Sequence, residues 1–382
     1  MARIVITGVG SICALGKSLE ESWGRLIKGE SSIFLGKPFA ELEAFPIGMI
    51  NTNPYQLVDL TKLIVLSALE DAKLAPPLLD CAVVVGSSRS QQGVWEQIAR
   101  KISTHGYEYK CEENPQGWIN ALPHMNAVNI ARIIGSTGIV LAPMAACATG
   151  IWAISQAVEL ITSGQCQRAI AGAVEAPITP LTITGFRQMG ALAKTGVYPF
   201  DTNREGLALG EGGALFFLES EELAKKRKAK IYGRILGFGL TADAYHPNQL
   251  HPEGEGAISA IKQCLNNSKI LPQDIDYIHA HGTATRLNDR VESLVINQLF
   301  PHGVYVSSSK GATGHTVGAS GALGVAFSLM ALKHQIMPPS VGLRNPDFNL
   351  HFVTKACTTK IKQVMCFSFG FGGQNAVIAI SV

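Results

Sequence analysis

A pair of motifs that occurs twice, in the same order, constrains this sequence most. Cys147-Ala-Thr-Gly150 leads into one apolar segment, and Gly311-Ala-Thr-Gly314 leads into another. Further on, Gly210-Glu-Gly-Gly213 runs into ALFFLE, and Gly370-Phe-Gly-Gly373 runs into NAVIAISV. Gly150 to Gly210 spans 60 positions and Gly314 to Gly370 spans 56. Two ordered matches at nearly one spacing predict a duplicated chain, with an N-terminal half over 1–222 and a C-terminal half over 223–382. The charged stretch AKKRKAK at 224–230 lies at the join and reads as a solvated helix end, where cations suit the dipole. No linker rich in Pro or Ser divides the halves, so they should pack as one body.

Short apolar runs mark the strands: IVIT at 4–7, CAVVVG at 81–86, AIAGAV at 169–174, then IYGRILGFG, IDYIHAHG and VYVSSSKG. Most end at glycine and alternate with helical patterns such as 18–28, which predicts an α/β chain with a parallel or mixed sheet. With 47% hydrophobic residues, 16% charged residues and 39 glycines, the chain is too apolar for disorder and suits tightly packed, buried strands. A net charge of +3 does not point to nucleic acid. No run of 18 apolar residues is evident, so no membrane span is expected. The N-terminal stretch is broken by Gly8, Gly10 and Ser11, and reads as a strand and turn rather than a signal peptide. Eight cysteines without a CxxC pair suggest reduced thiols in a cytoplasm. A dinucleotide fingerprint over Gly8 and Gly10 would need a third glycine where Cys13 stands.

The residue types that carry chemistry fall at predicted strand ends and helix starts. Cys147 opens an apolar helix that ends near Gly164, a position where helix amides favour a thiolate and should lower its pKa. Ala145, Ala146, Ala148 and Gly150 leave room around it. His281 follows the strand of IDYIHAHG, where α/β folds gather ligands. His279, two residues earlier, would face the same side of a strand. That pair also fits a metal site, but no third ligand lies nearby in sequence, so no metal is expected. His315 lies in a glycine-rich turn five residues after Lys310.

Taken in order, ACATG, PFDTNREGLALGEGG, HAHGTAT, SSKGATGH and SFGFGGQN resemble the β-ketoacyl-(acyl carrier protein) synthases, condensing enzymes of the thiolase-like superfamily. The likeness covers nearly the whole chain, from VITGVG at 5–10 to the C-terminus. It implies a five-layer α-β-α-β-α sandwich of two similar halves, usually a homodimer, working on an acyl carrier protein without cofactor or metal. Cys147 would take the acyl chain as a thioester. His281 and His315 would aim N–H groups at the malonyl thioester during decarboxylation, with Lys310 balancing charge near His315. The backbone N–H groups of Cys147 and Phe371 would form the oxyanion hole. Thr283 and Thr285 would hold the pantetheine arm, and Phe369, Gly370 and Phe371 would form a gate. Relatives often carry an acid where this chain has Gly324, and Thr where it has Gln374; its 37–80 and 87–130 stretches are also shorter. A chain-length factor would lack the nucleophile, and a thiolase would carry a second catalytic cysteine that CTT and CFS do not match.

Overall fold

The computed structural model describes residues 3–105 and 115–382. Cys111 lies outside the described residues, and the other seven cysteines are free thiols. The first apolar run forms β1 (Ile4–Cys13), buried along its whole length. It continues past Gly8, where the sequence suggested a turn. The reason is the close approach of a helix, α1 (Leu57–Ala72): a Cβ at Gly8 would stand 2.4 Å from Ala72 Cβ, and one at Gly10 would stand 2.2 Å from the Ile64 carbonyl.

Ten more strands join β1: β2 (Cys81–Gly86), β3 (Val140–Leu141), β4 (Arg168–Glu175), β5 (Gly212–Ser220), β6 (Gly233–Ala242), β7 (Tyr277–His279), β8 (Tyr305–Ser307), β9 (His351–Phe352), β10 (Gln363–Gly370) and β11 (Gln374–Ser381). Their spatial order is β9-β8-β7-β10-β11-β6-β1-β5-β4-β2-β3. The duplication is visible in the pairing. β1 runs antiparallel to β5 and β5 to β4, while β4, β2 and β3 are parallel. β6 runs antiparallel to β11 and β11 to β10, while β10, β7 and β8 are parallel. The same topology is built twice in the same chain order, and β9 adds an edge to the second copy. A short pairing of Ile4–Ile6 with Gly233–Ile235 links the two.

Three apolar cores separate five layers. On one outer face α1 and α2 (Met125–Ile134) pack on β2, β4 and β5. On the other, α4 (Glu255–Ser268) and α5 (Arg286–Leu299) pack on β7, β10 and β11. Between the sheets lie α3 (Thr149–Thr162) and α6 (Ser320–His334), sharing one core with strands of both halves. The result is the thiolase-like α-β-α-β-α sandwich. The stretch Val317–His334, which includes α6, is long and apolar enough to cross a membrane, contrary to the sequence reading. It is 89% buried inside the protein, which makes it the core helix of this sandwich.

The repeat needs one correction of register. A Cβ at Gly150 would meet Ala322, and one at Gly321 would meet Ile151. These reciprocal contacts pair Gly150 with Gly321 across the helix crossing. The counterpart of Cys147-Ala-Thr-Gly150 is therefore Gly318-Ala-Ser-Gly321, one step beyond the GATG that sequence similarity picks out. The stretch at the join also differs from a purely solvated helix end, since Arg227 binds the buried Glu219 at 2.8 Å.

Candidate active site

The nucleophile candidate is held on a strained turn. Ala146 has φ 45°, in the left-handed region, and Cys147 follows it into α3. Thr149 clamps this turn: its hydroxyl accepts from the Ala145 N–H at 2.9 Å and donates to the Ala146 carbonyl at 2.7 Å. Ser368 on β10 donates to the Cys147 carbonyl at 2.8 Å. The backbone of Gly370 lies so close that a Cβ there would stand 3.0 Å from the Cys147 nitrogen. The Phe371 backbone, one of the two expected oxyanion donors, lies near enough to the thiol to favour its thiolate. Burial nevertheless pushes the Cys147 thiol up to about 11, against the pull of Lys310 and the Phe371 N–H. The expectation of a lowered pKa is thus reversed: removal from water outweighs what the surrounding cation and amide supply.

The C-terminal half brings up the other groups. His281 leaves the end of β7, and its own N–H and that of Gly282 both donate to Glu292 on α5, at 2.6 and 2.7 Å. His315 sits in the turn before α6. Its Nδ1 accepts from the Val317 N–H at 3.0 Å and lies 2.8 Å from Ser320 Oγ. A backbone N–H can only donate, so the ring proton of neutral His315 resides on Nε2. Burial, then Lys310, holds both His281 and His315 well below the usual histidine range, so both are neutral. Cys147 Sγ and one ring nitrogen from each histidine all lie within 4.8 Å of one another. The third ligand that sequence spacing did not offer His281 is therefore supplied from across the fold, although the cluster excludes His279.

Lys310 is 4% exposed and reaches His281 rather than His315. It donates to the His281 carbonyl and lies 3.4 Å from His281 Nδ1. Burial lowers its pKa, opposed first by Glu292. His279 turns away because β7 ends there. Its ring packs 3.2 Å from Ser309 Oγ and 3.9 Å from Cys366 Sγ, held down to about 3 by burial and Lys310. Gly324 makes room for this arrangement: a Cβ there would stand 2.6 Å from Cys366 Sγ and 2.9 Å from His279 Nδ1. An acid at that position is incompatible with these side chains, and the carboxylates whose fields reach Lys310 are Glu292 and, more weakly, Asp289.

A cavity of about 880 Å³ is lined by Cys147, His281, His315, Thr283, Thr285 and the Phe369–Phe371 segment. Thr283 and Thr285 share a hydroxyl hydrogen bond of 2.9 Å. Sequence reasoning missed Thr149, Ser320, Ser368 and Glu292. For Glu292 a signal existed: Asn288, Asp289 and Glu292 put polar groups on the buried face of α5.

Family profiles described as "Beta-ketoacyl synthase, N-terminal domain" and "Beta-ketoacyl synthase, C-terminal domain" match residues 51–224 and 232–344. A 3-oxoacyl-[acyl-carrier-protein] synthase 2 from Coxiella burnetii is 33% identical over 99% of this chain and 98% of its own length. The chain belongs to the β-ketoacyl synthase family. As such it is a condensing acyltransferase. A mitochondrial 3-oxoacyl-[acyl-carrier-protein] synthase from Arabidopsis thaliana is 31% identical over 98% of this β-ketoacyl synthase and 92% of its own chain. A solved complex of a type II PKS acyl-carrier protein with its ketosynthase, bound to the hexaketide, contains a chain that matches with TM-score 0.94 at 27% identity, over 100% and 99% of the two chains.

Proposed function

We propose that this synthase catalyses decarboxylative condensation on Cys147, with an acyl carrier protein delivering both substrates. The observation that carries the reading is the convergence of the thiol and two neutral imidazoles within 4.8 Å. In the first step Cys147 sulfur attacks the acyl carbonyl, the carrier's carbon–sulfur bond breaks, and the thiol proton leaves with the carrier. The N–H groups of Cys147 and Phe371 stabilise the oxyanion. Malonyl-carrier then loses carbon dioxide. The electron pair moves onto the thioester oxygen, which takes hydrogen bonds from Nε2 of His281 and His315. The resulting carbon attacks the Cys147 thioester, forming the new carbon–carbon bond and releasing the sulfur.

Lys310 keeps His281 neutral and oriented, Thr283 and Thr285 bind the pantetheine arm, and Phe371, with Phe369 and Gly370, gates the acyl side. The halves 1–222 and 223–382 divide the labour, one carrying the thiol and the other the histidines and lysine. The reading includes a cytoplasmic enzyme, a homodimer, and a chemistry that needs neither metal nor cofactor. A partner chain is supported by the exposed Leu141 and Met144 at and beside the edge strand β3. A solved complex of a ketosynthase with its chain length factor from Xenorhabdus doucetiae contains a chain that matches this one with TM-score 0.85 at 27% identity. A heterodimer is therefore the second reading.

Intact-protein mass spectrometry after mixing with acyl carriers tests the proposal. An acyl adduct on Cys147 that is lost in Cys147→Ala, with malonyl decarboxylation surviving in Cys147→Gln, is the expected result. An adduct that persists in Cys147→Ala overturns the assignment.

A further inference from the structure

Cys147 shares an apolar cluster with Ile178, Ile183 and Phe186, against which Phe39 and Phe371 pack. Ile183 and Phe371 face the reaction cavity. Phe39 and Ile178 line a second cavity of about 340 Å³ beyond that wall. In the same cluster the rings of Phe186 and Phe371 lie with centroids 5.9 Å apart. An acyl chain on Cys147 that passes Phe371 is directed toward the second cavity.

The lining of that second space is mixed, with Phe39, Leu57, Val94 and Ile178 beside Gln91, Glu96 and Arg100. Gln91 lines it at 3% exposure, and its buried Nε2 has no hydrogen-bond partner. Two residues earlier, Arg89 sets its guanidinium over the Phe186 ring, 5.9 Å from the centroid, with a buried Nε that is likewise unpartnered. Among the described residues no carboxylate forms an ion pair with Arg89; Glu175 instead accepts its backbone N–H. Beside them, Ser90 donates to the Pro123 carbonyl, and nearby Asn126, on α2, is 2% exposed with both amide atoms unpartnered. Buried donors without acceptors are costly, and a cation facing an apolar ring gains most from an oxygen that completes its shell.

We propose that the acyl group accepted on Cys147 carries oxygen beyond its thioester carbonyl (keto, hydroxyl or carboxylate), and that Arg89 and Gln91 bind it in preference to a saturated alkyl chain. This specificity rests on the reading of Cys147 as the acylated residue. Arg89 supplies charge and a forked donor for a carboxylate, while Gln91 supplies a neutral donor for a keto or hydroxyl oxygen.

The test uses the full chain and pantetheine thioesters of equal length: hexanoyl, 5-oxohexanoyl and 5-carboxypentanoyl, with acetyl as a control. Initial loading rates are read by intact mass spectrometry. At least one oxygenated donor loads about tenfold faster than hexanoyl, the difference expected from one charge-assisted or well-placed hydrogen bond. Arg89→Met removes most of a preference for the carboxylate, and Gln91→Leu removes most of a preference for the ketone. Having two variants keeps the test decisive should one of them fail to give a cooperative melt. Hexanoyl loading as fast as both oxygenated donors overturns the inference alone, as does a preference unchanged in both variants. If no donor, acetyl included, modifies Cys147, the nucleophile assignment falls and the specificity falls with it.

Discussion

The crossing of α3 and α6 brings the two halves' chemistry together, and Gly150 sits at its tightest point. A Cβ there would be 2.7 Å from the Ala322 nitrogen, 2.9 Å from its Cβ and 3.3 Å from its Cα. Ordinary contacts between carbon atoms need about 3.5–4.0 Å. The obstacle includes helix backbone, so a Gly150→Ala chain must move the helices apart by about 1 Å. Overpacking of this kind costs about 1–3 kcal/mol. The displacement also separates Cys147, three residues before Gly150, from His315, five residues before Ser320 at the start of α6. A misplacement of that order lowers a reaction rate by up to about 100-fold. Gly24 is the matched control. It lies inside the helix Leu19–Ile27, and a Cβ there meets nothing within 4 Å. Gly24→Ala should leave activity unchanged and raise stability by up to about 1 kcal/mol, the helix propensity difference. Thermal unfolding followed by circular dichroism, with carbon dioxide release from malonyl thioester, measures both effects. If Gly150→Ala melts and reacts like Gly24→Ala, the crossing does not set the site's geometry and the reasoning fails.

Two further outcomes follow from the site. Because burial pushes the Cys147 thiol up to about 11, its thiolate fraction is small at neutrality and grows as pH approaches that value. Alkylation of the Cys147 peptide by iodoacetamide should therefore keep accelerating from pH 7 through 10; a plateau near pH 7 would contradict it. Glu292→Gln leaves the N–H groups of His281 and Gly282 facing a side chain with one acceptor oxygen instead of two, and removes the charge opposite Lys310. It should cost about 1–3 kcal/mol in stability and slow malonyl decarboxylation more than acyl loading, since it perturbs His281 and not Cys147. A larger fall in loading than in decarboxylation refutes that positioning role.

Duplication, strand positions and the reactive side chains were legible because each leaves a local trace. Buried strands read as apolar runs such as CAVVVG. Turns that carry Cys147, His281 and His315 are flanked by residues small enough for a substrate to approach, and ordered motifs repeat along the chain. Local traces also misled. Gly8 and Gly10 read as a turn when they mark a helix lying against a strand, and GATG resembled CATG although Gly318-Ala-Ser-Gly321 is its structural counterpart. His279 and His281 looked equivalent at a spacing of two, but β7 ends between them and sends their rings apart.

Other properties depend on what is packed against a residue from far along the chain, and no spacing rule reports that. The Cys147 thiol is pushed toward its protonated form because the fold takes it out of water, which outweighs the pull of Lys310 and of the Phe371 backbone. Lys310 reaches His281 rather than His315, and Gly324 is required because His279 and Cys366 occupy the space a side chain would need. Residue types and their order thus specify which fold is built and which chemical groups it carries. Burial and the close approach of the two central helices decide the protonation state and mutual distance of those groups, because both are set by neighbours distant in the chain.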